Sequence, residues 1–197
     1  MSVYHLPTPL QEKDMRSLNV GDVVYLSGNI FTARDMAHFR IRDLLESGES
    51  LPKDFRGAAV FHAGPVCLRN EDGSWRLNVI GPTTSIRMEP YADMVGRMGV
   101  KAVLGKGGMG SGTLEACQKY GYVYLQAAPG CAAKLAQGIE RIVDVNWFEM
   151  GMPEAVWHLW AKDFGPLVVG MDTNGNSIYD KLKENALTRI DELYPAV

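Results

Sequence analysis

The chain has 197 residues, 46% of them hydrophobic and 22% charged, a composition typical of one globular domain large enough to bury a core. Its formal net charge of -3 argues against a nucleic-acid surface, which needs a strong basic excess. No apolar stretch approaches the roughly 20 residues that a membrane span needs, and the first residues lack a basic start followed by an apolar core. We therefore expect a cytoplasmic protein.

Three cysteines, Cys67, Cys117 and Cys131, stand far apart in the sequence. An odd number at this spacing argues against a disulfide framework. Three thiolates are enough to ligate an iron–sulfur cluster, but the close cysteine spacing typical of cluster-binding loops is missing. We expect all three to be small buried side chains.

The first quarter of the chain opens with an irregular lead-in over residues 1–20, which contains a short helical piece at 11–17. A β-rich run follows at 22–27. Apolar residues at helical spacing then predict a helix over about 33–47.

The start of that helix carries several polar side chains. Thr32 and Asp35 have the spacing of a capping box, which gives Asp35 a structural role. His38 follows Arg34 by one helical turn, so the two side chains share a face. A lone histidine in such a helix either packs in the core or contacts a ligand, and the spacing leaves both alternatives open.

A buried apolar run that begins at Ala58 ends in a Gly-Pro turn at 64–65. The sequence Asn-Glu-Asp-Gly at 70–73 then marks a hairpin, which predicts antiparallel strands at 64–68 and 75–80. The second strand leads directly into the stretch around which the candidate site is organised.

That stretch covers residues 81–88. Its Gly-Pro pair ends the strand, because proline extends neither a strand ladder nor a helix. Two threonines and a serine, residues 83–85, follow where a helix would begin, and Arg87 comes within the next turn. Free backbone N–H groups, hydroxyls and a guanidinium suit a carboxylate or a phosphate. The alternative is an ordinary helix cap with a solvated arginine.

The second half of the chain continues the alternation and becomes richer in strands. The predicted elements are a helix continuing from Arg87 to about Met98, strand 100–104, helix 114–120, strand 122–127, helix 129–137, strands 141–148, 156–162 and 166–171, and a terminal helix over 177–193. Mixed strand directions, with helices confined to some segments, predict a single layered α/β domain.

A glycine loop follows strand 100–104. Gly105, Gly107 and Gly110 have the G-x-G-x-x-G spacing of a dinucleotide-binding turn. However, the next strand ends in Leu-Gln-Ala-Ala at 125–128, without the acidic residue that holds the ribose. We interpret the glycines as allowing the backbone to approach a small anion that Lys106 neutralises.

Three separate turns thus carry Arg34, Arg87 and Lys106, each near a predicted helix start. Loops at the carboxyl ends of strands tend to gather, so we expect the three cations to meet. Because converging cations repel one another unless an anion joins them, a dicarboxylate is the ligand they predict.

Three ordered segments resemble the β component of the iron–sulfur hydro-lyases, the class I fumarases and L-tartrate dehydratases. They are LSGNIFTARDMAH at 26–38, GPTTSIRM at 81–88 and GKGGMG at 105–110, with further similarity at 61–65 and 164–167. The resemblance covers nearly the whole chain. It implies a swivelling β/β/α domain with a mixed sheet over residues 1–197.

The resemblance also assigns roles to residues. It implies that Arg34, Arg87 and Lys106 bind the substrate carboxylates. Thr83 matches the threonine that takes or gives the proton at carbon, and Thr84 is its hydrogen-bonding neighbour.

Two further residues, His38 and Asp35, belong to the matching motifs without so clear a role. We include His38 among the substrate-binding candidates and Asp35 as an additional one. A threonine hydroxyl is a weak base at neutral pH, so Thr83 needs a neighbour that lowers its pKa or relays its proton. Lys106 or a carboxylate of the partner could do this, and the choice stays open.

The resemblance implies a β subunit that is active only with an α subunit. The α subunit carries three cysteines and ligates a [4Fe-4S] cluster, whose open iron acts as a Lewis acid on the substrate hydroxyl; this chain contributes no metal ligand. We expect reversible hydration of fumarate to (S)-malate in a hetero-oligomer such as α2β2. The alternatives are L(+)-tartrate dehydration to oxaloacetate, which Ile86 leaves open, and a non-catalytic dicarboxylate-binding or assembly module.

Overall fold

A computed structural model describes residues 1–193, with side chains up to residue 190. The last four residues of the predicted domain, 194–197, lie outside the described residues. The strands are β1 (Val3–Pro7), β2 (Val23–Thr32), β3 (Ala59–Phe61), β4 (Val66–Arg69), β5 (Trp75–Val79), β6 (Ala102–Gly105), β7 (Val123–Ala127), β8 (Ile139–Asn146) and β9 (Val156–Met171). The helices are α1 (Glu12–Ser17), α2 (Asp35–Ser47), α3 (Ala92–Arg97), α4 (Ser111–Tyr120), α5 (Ala132–Ala136) and α6 (Ile178–Leu193), with 3₁₀ segments at Ser85–Tyr91 and Phe148–Met150.

Seven of these strands form one mixed sheet in the order β1-β2-β3-β6-β7-β9-β8. The first five in that order run parallel to one another, whereas β9 is antiparallel to both β7 and β8. Strand β9 also pairs with β2, which closes the sheet on itself. The predicted α/β class with a mixed sheet is confirmed, as is the separate antiparallel hairpin of β4 and β5.

The central strands are buried on both faces. Along β3, Ala59 and Phe61 point into one core and Val60 into the other. The first core lies against α1, α5 and the β4–β5 hairpin, and the second against α2, α3 and α4. This alternation with a period of two residues produces the predicted layers, because each face of the strand is covered by a different set of elements.

Strand β9 corrects the sequence-based prediction of two separate runs at 156–162 and 166–171. The strand is continuous over 16 residues. Pro166 lies where the pairing with β2 shifts register, between the pairs Leu26–Phe164 and Val24–Leu167. A proline lacks the N–H that a regular ladder requires, and a register shift is where a strand tolerates it.

The lead-in and the 81–98 region also differ from prediction. Residues Val3–Pro7 form an edge strand parallel to β2 rather than irregular chain, while the helical piece at 11–17 is confirmed as α1. The helix expected after Arg87 is a 3₁₀ segment followed by the short α3. Pro90 within this segment removes a backbone donor, so a continuous α-helix cannot form there.

The capping box predicted at the start of α2 is wrong. The buried Thr32 hydroxyl donates to the Ala155 carbonyl at 3.2 Å and accepts from the Trp157 amide at 3.0 Å, both at the start of β9. The Asp35 carboxylate turns away from the helix start toward Arg87. Thr32 thus joins β2 to β9, and Asp35 is left for the site.

Candidate active site

The site lies at one edge of the sheet. Strands β2, β3 and β6 are parallel neighbours, so their carboxyl ends meet at the same edge. The loops that follow them carry Arg34, His62 and Lys106, respectively. This is the edge at which open α/β sheets usually bind ligands.

The stretch 81–88 is bound to this edge by its backbone. The Thr83 amide donates to the His62 carbonyl at 2.7 Å, and the Ser85 amide donates to the Lys106 carbonyl at 3.0 Å. Thr84, between them, forms a parallel bridge with Lys106. The two threonines are therefore held beside the ends of β3 and β6.

Arg87 extends from this stretch to the start of α2. Its Nε and Nη2 donate to the two carboxylate oxygens of Asp35 at 3.0 and 2.9 Å. Nη2 also donates to the Thr83 hydroxyl at 2.8 Å. Both members of the ion pair are partly exposed, 44% for Arg87 and 40% for Asp35, so the cluster is open to a ligand.

Arg34 is also paired with a carboxylate. Its Nε lies 3.1 Å from Oε1 of Glu154, and the other carboxylate oxygen of Glu154 accepts from the Met36 amide in the first turn of α2. Nη1 of Arg34 runs close against Gly64, where an added Cβ would lie 2.6 Å from it. The glycine therefore leaves room for the guanidinium beside the end of β3.

Lys106 differs from the two arginines because its ammonium forms no ion pair with any side chain that the structure describes. The glycine loop after it does not suit a dinucleotide. The start of α4, where a pyrophosphate would sit, is already occupied by the Glu89 carboxylate, which accepts from the Gly110 amide at 2.8 Å and the Thr113 amide at 2.9 Å. A second anion there would be repelled.

Two buried histidines support this edge from inside. Nδ1 of His38 donates to the Arg34 carbonyl at 2.9 Å, while Nδ1 of His62 lies 3.0 Å from the Ser85 hydroxyl. Their rings meet edge to face at 5.3 Å. Desolvation by burial lowers the pKa of His38 and takes the pKa of His62 well below its ordinary value of 6.5, so both rings are neutral near pH 7.

The predicted residues thus gather at one edge, joined by chain and side-chain contacts. Three residues that complete the arrangement were not predicted from the sequence: His62, Glu89 and Glu154. His62 and Glu89 lie inside or beside the predicted motifs, so their position was a usable signal, and Ser85 belongs to the predicted stretch 81–88. Glu154 precedes β9, and nothing in its local sequence connects it with Arg34.

The cysteines of this chain do not fit an iron–sulfur cluster. Cys67 and Cys117 are buried and Cys131 is exposed, which makes the prediction that all three are buried wrong for Cys131. Burial raises the pKa of the Cys67 thiol to about 12 and also raises that of Cys117, which disfavours the thiolates that iron requires. No metal-binding group of three His, Cys, Asp or Glu side chains occurs among the described residues.

Comparison with known proteins identifies the family. A family model described as Fumarase C-terminus matches residues 2–182. The chain belongs to this family. The match covers every segment that carries the candidate site, and the resemblance drawn from the three motifs is confirmed.

Similar members of the family include a protein named "L(+)-tartrate dehydratase subunit beta" from Escherichia coli K12, 42% identical over 95% of this chain and 92% of its own length. A second, "Putative L(+)-tartrate dehydratase subunit beta" from Methanocaldococcus jannaschii, is 45% identical over 93% and 95%. A third, "Putative fumarate hydratase class I" from Geobacillus stearothermophilus, is 43% identical over 96% of this chain but only 36% of its own length. The family thus includes both separate subunits and longer proteins.

Among the helices within residues 1–193, none combines the length and the apolar character needed to cross a bilayer.

Proposed function

We propose that this chain is the β subunit of a two-component hydro-lyase that interconverts fumarate and (S)-malate. The observation that carries the proposal is the cluster of Thr83, Arg87 and Asp35 at the same sheet edge as Lys106 and Arg34. Cations on a substrate carboxylate would stabilise the negative charge that develops when a neighbouring C–H loses its proton.

Dehydration of L(+)-tartrate to oxaloacetate is the second candidate. It is favoured by relatives of matching length, because the proteins named as tartrate dehydratase β subunits align with this chain over more than nine tenths of both lengths. The relative named for fumarate hydration has about two thirds of its length outside the match. Both reactions involve a four-carbon dicarboxylate and loss or gain of water.

In this proposal Arg34, Arg87 and Lys106 bind the two carboxylates. Arg87 uses Nε and Nη2 for Asp35 and Thr83, so Nη1 is the edge of its guanidinium that can meet the substrate. Thr84 contributes a neighbouring hydroxyl. His38 was a predicted substrate-binding residue, but its side chain is buried, so in this proposal it supports Arg34 from beneath through its hydrogen bond to the Arg34 carbonyl.

Thr83 is the first candidate for holding the proton. Its hydroxyl oxygen accepts from the Arg87 cation at 2.8 Å, and a cation at that distance favours the deprotonated oxygen. In dehydration the deprotonated Thr83 Oγ1 would take the proton from carbon and become a hydroxyl, and in hydration that hydroxyl would return the proton to carbon. Lys106, which is adjacent to Thr84, or a carboxylate of the partner would lower the pKa of Thr83 or relay its proton.

The proposal assigns the [4Fe-4S] cluster and its ligands to an α subunit, with which this chain would form a cytoplasmic hetero-oligomer such as α2β2. The cluster would supply the Lewis acid for the substrate hydroxyl. This chain's share is to bind and orient the dicarboxylate and to hold the proton.

The test is to combine this chain anaerobically with a cluster-bearing α subunit and to follow the conversion of fumarate and of L(+)-tartrate separately. We expect turnover with one of them, and none from either subunit alone. Absence of turnover with both, while the isolated chain still binds dicarboxylates, would replace the proposal with a non-catalytic binding or assembly module.

A further inference from the structure

Glu89 is a charged residue that the proposed reaction does not use. It lies two residues after Arg87, in the 3₁₀ segment. Its carboxylate accepts from the Gly110 amide at 2.8 Å, the Thr113 amide at 2.9 Å and the Thr113 hydroxyl at 2.6 Å. Helix α4 has no side-chain cap of its own, so Glu89 caps it from a distant part of the chain.

The sequence leaves space for this contact. A Cβ added at Gly110 would lie 2.8 Å from Oε1 of Glu89, and one added at Gly112 would lie 3.1 Å from it. Gly110, the last glycine of the sequence that resembles a nucleotide-binding motif, and Gly112 just after it therefore admit an internal carboxylate. The start of α4 is built around Glu89 rather than around a ligand.

The other end of the glycine loop is tied to the same segment. The Ser85 amide donates to the Lys106 carbonyl at 3.0 Å, so the loop 106–110 is attached to the 3₁₀ segment at both ends. Between these attachments, Gly107 and Gly108 have φ angles of +80° and +79°. Glycines have wide conformational freedom, and the two attachments restrict it.

Arg87 lies between the two attachment points, Ser85 and Glu89, on the segment that holds the loop. Its own guanidinium is fixed by Asp35. Lys106 has no ion pair with a described side chain, so its placement relative to Arg87 depends on the backbone of the loop.

We propose that Glu89 is a positioning residue that sets the separation between Lys106 and Arg87, and with it the length of dicarboxylate that the site prefers. The inference rests on the proposed function only in taking a dicarboxylate as the ligand. Glu89 touches no substrate in this account. It acts through the loop that carries Lys106.

The test uses the full chain with its lysines reductively methylated with ¹³C, and follows the Lys106 signal by NMR. A Lys106→Arg variant identifies that signal by its loss. Malonate, succinate and glutarate are then titrated into the wild type and Glu89→Gln. We expect Glu89→Gln to shift the Lys106 signal before any ligand is added, to weaken binding of the preferred dicarboxylate about tenfold, and to flatten the preference among the three lengths.

Glu115→Gln is the matched control, because Glu115 is an exposed carboxylate on the same helix α4. It should leave both the signal and the length preference unchanged. Thr113→Val removes one hydrogen-bond partner of Glu89 and should change the Lys106 signal and the length preference in the same direction as Glu89→Gln. Thr113→Ser keeps the hydroxyl and should behave like the wild type. Should Glu89→Gln fail to fold, the Thr113 pair carries the test.

If Glu89 only caps α4, Glu89→Gln and Thr113→Val should lower the melting temperature but leave the Lys106 signal and the length preference unchanged. That result would overturn the inference. The proposed function itself is tested by turnover with the α subunit, and failure of its premise that the ligand is a dicarboxylate is a separate outcome here. In that case wild type would bind none of the three dicarboxylates, while the shift of the ligand-free Lys106 signal would still report whether Glu89 positions the loop.

Discussion

Two strand-to-helix loops bring cations to the same sheet edge, and they begin their helices in the same way. The loop from β2 to α2 carries Arg34, and the loop from β6 to α4 carries Lys106. Neither helix has a side-chain cap of its own, and in each a distant glutamate accepts N–H groups of the first turn, Glu154 for α2 and Glu89 for α4.

The loops differ in how their cations are balanced. Glu154 pairs with Arg34 as well as with the helix, and Asp35 at the start of α2 pairs with Arg87. Lys106 has no such counter-ion among the described side chains. The arginines are thus fixed by carboxylates before a substrate arrives, whereas the lysine is placed by its backbone. Removing an arginine should therefore leave a carboxylate facing the substrate, and removing the lysine should only remove a charge.

The largest effect is expected from Arg87→Ala. The change removes a proposed carboxylate-binding group and leaves Asp35 without its partner, so kcat/KM of the proposed two-subunit enzyme should fall by about 10³-fold or more. Adding Asp35→Asn should recover part of the loss, because it removes the repulsion. Arg97→Ala is the matched control, since Arg97 forms an exposed ion pair with Asp93 on α3. Full activity of Arg87→Ala would remove the proposed site.

The next effect is expected from Lys106→Met, which keeps the length of the side chain but removes its charge. We expect kcat/KM to fall by about 10²-fold. The melting temperature should stay close to that of the wild type, because Lys106 forms no ion pair with a side chain that the structure describes. Lys13→Met, at an exposed position of α1, is the control. A marked fall in the melting temperature of Lys106→Met would show that a contact of the lysine side chain stabilises the second loop, as the carboxylates stabilise the first.

The buried histidines give a smaller effect that depends on pH. His38 lies beneath the first loop and His62, through Ser85, beneath the second. Burial lowers the pKa of both, so below the unfolded value of about 6.5 the unfolded chain binds protons that the folded chain does not. The stability present above that pH should decline as the pH falls, by up to about 1.4 kcal/mol per pH unit for each histidine.

Urea unfolding at pH 7.5 and pH 5.5 measures this decline. In His62→Gln the decline should be shallower than in wild type, since one of the two histidines is gone. If the free energy of unfolding declined equally with pH in the two proteins, His62 would be accepting its proton as readily in the folded as in the unfolded state. The comparison between wild type and variant cancels the contribution of the carboxylates that titrate in the same range.

The smallest effect is expected from Glu154→Gln. The side chain keeps its size and can still accept from the Met36 amide, so α2 should form normally. The Arg34 guanidinium loses its counter-ion and becomes freer to bind the substrate in other orientations, which should change KM by about two- to fivefold with little change in kcat. A change in kcat as large as that of Lys106→Met would contradict the view that Glu154 only holds Arg34.

Much of this site could be predicted from the sequence because its residues lie in short motifs. Arg34 and Lys106 follow the ends of parallel strands, which bring such positions together. Thr83 and Arg87 instead follow β5 of the separate hairpin, and backbone hydrogen bonds attach their stretch to the same edge. The error over Asp35 has a physical cause, since its spacing from Thr32 fits a cap equally well and only the fold shows that Arg87 is nearer. Local patterns do not contain that information.

The long strand β9 was beyond prediction for a similar reason. Proline at 166 is a sound signal of a strand end when only neighbours in sequence are considered. The proline does not end the strand here, because the pairing between β9 and β2 shifts register at that place. The position of this shift depends on β2, which lies more than 130 residues earlier in the sequence. Glu89 and Glu154 likewise acquire their roles from helices they are not part of.

The closing strand also affects how the protein is made. Strand β9 is the antiparallel partner of both β2 and β7, so a nascent chain that has not reached residue 156 presents two open sheet edges to other chains. Glu154 lies two residues before the start of this strand, so Arg34 receives its counter-ion only at that late stage of synthesis. Ribosome-bound chains halted before residue 154 should therefore be especially dependent on chaperones and prone to aggregate.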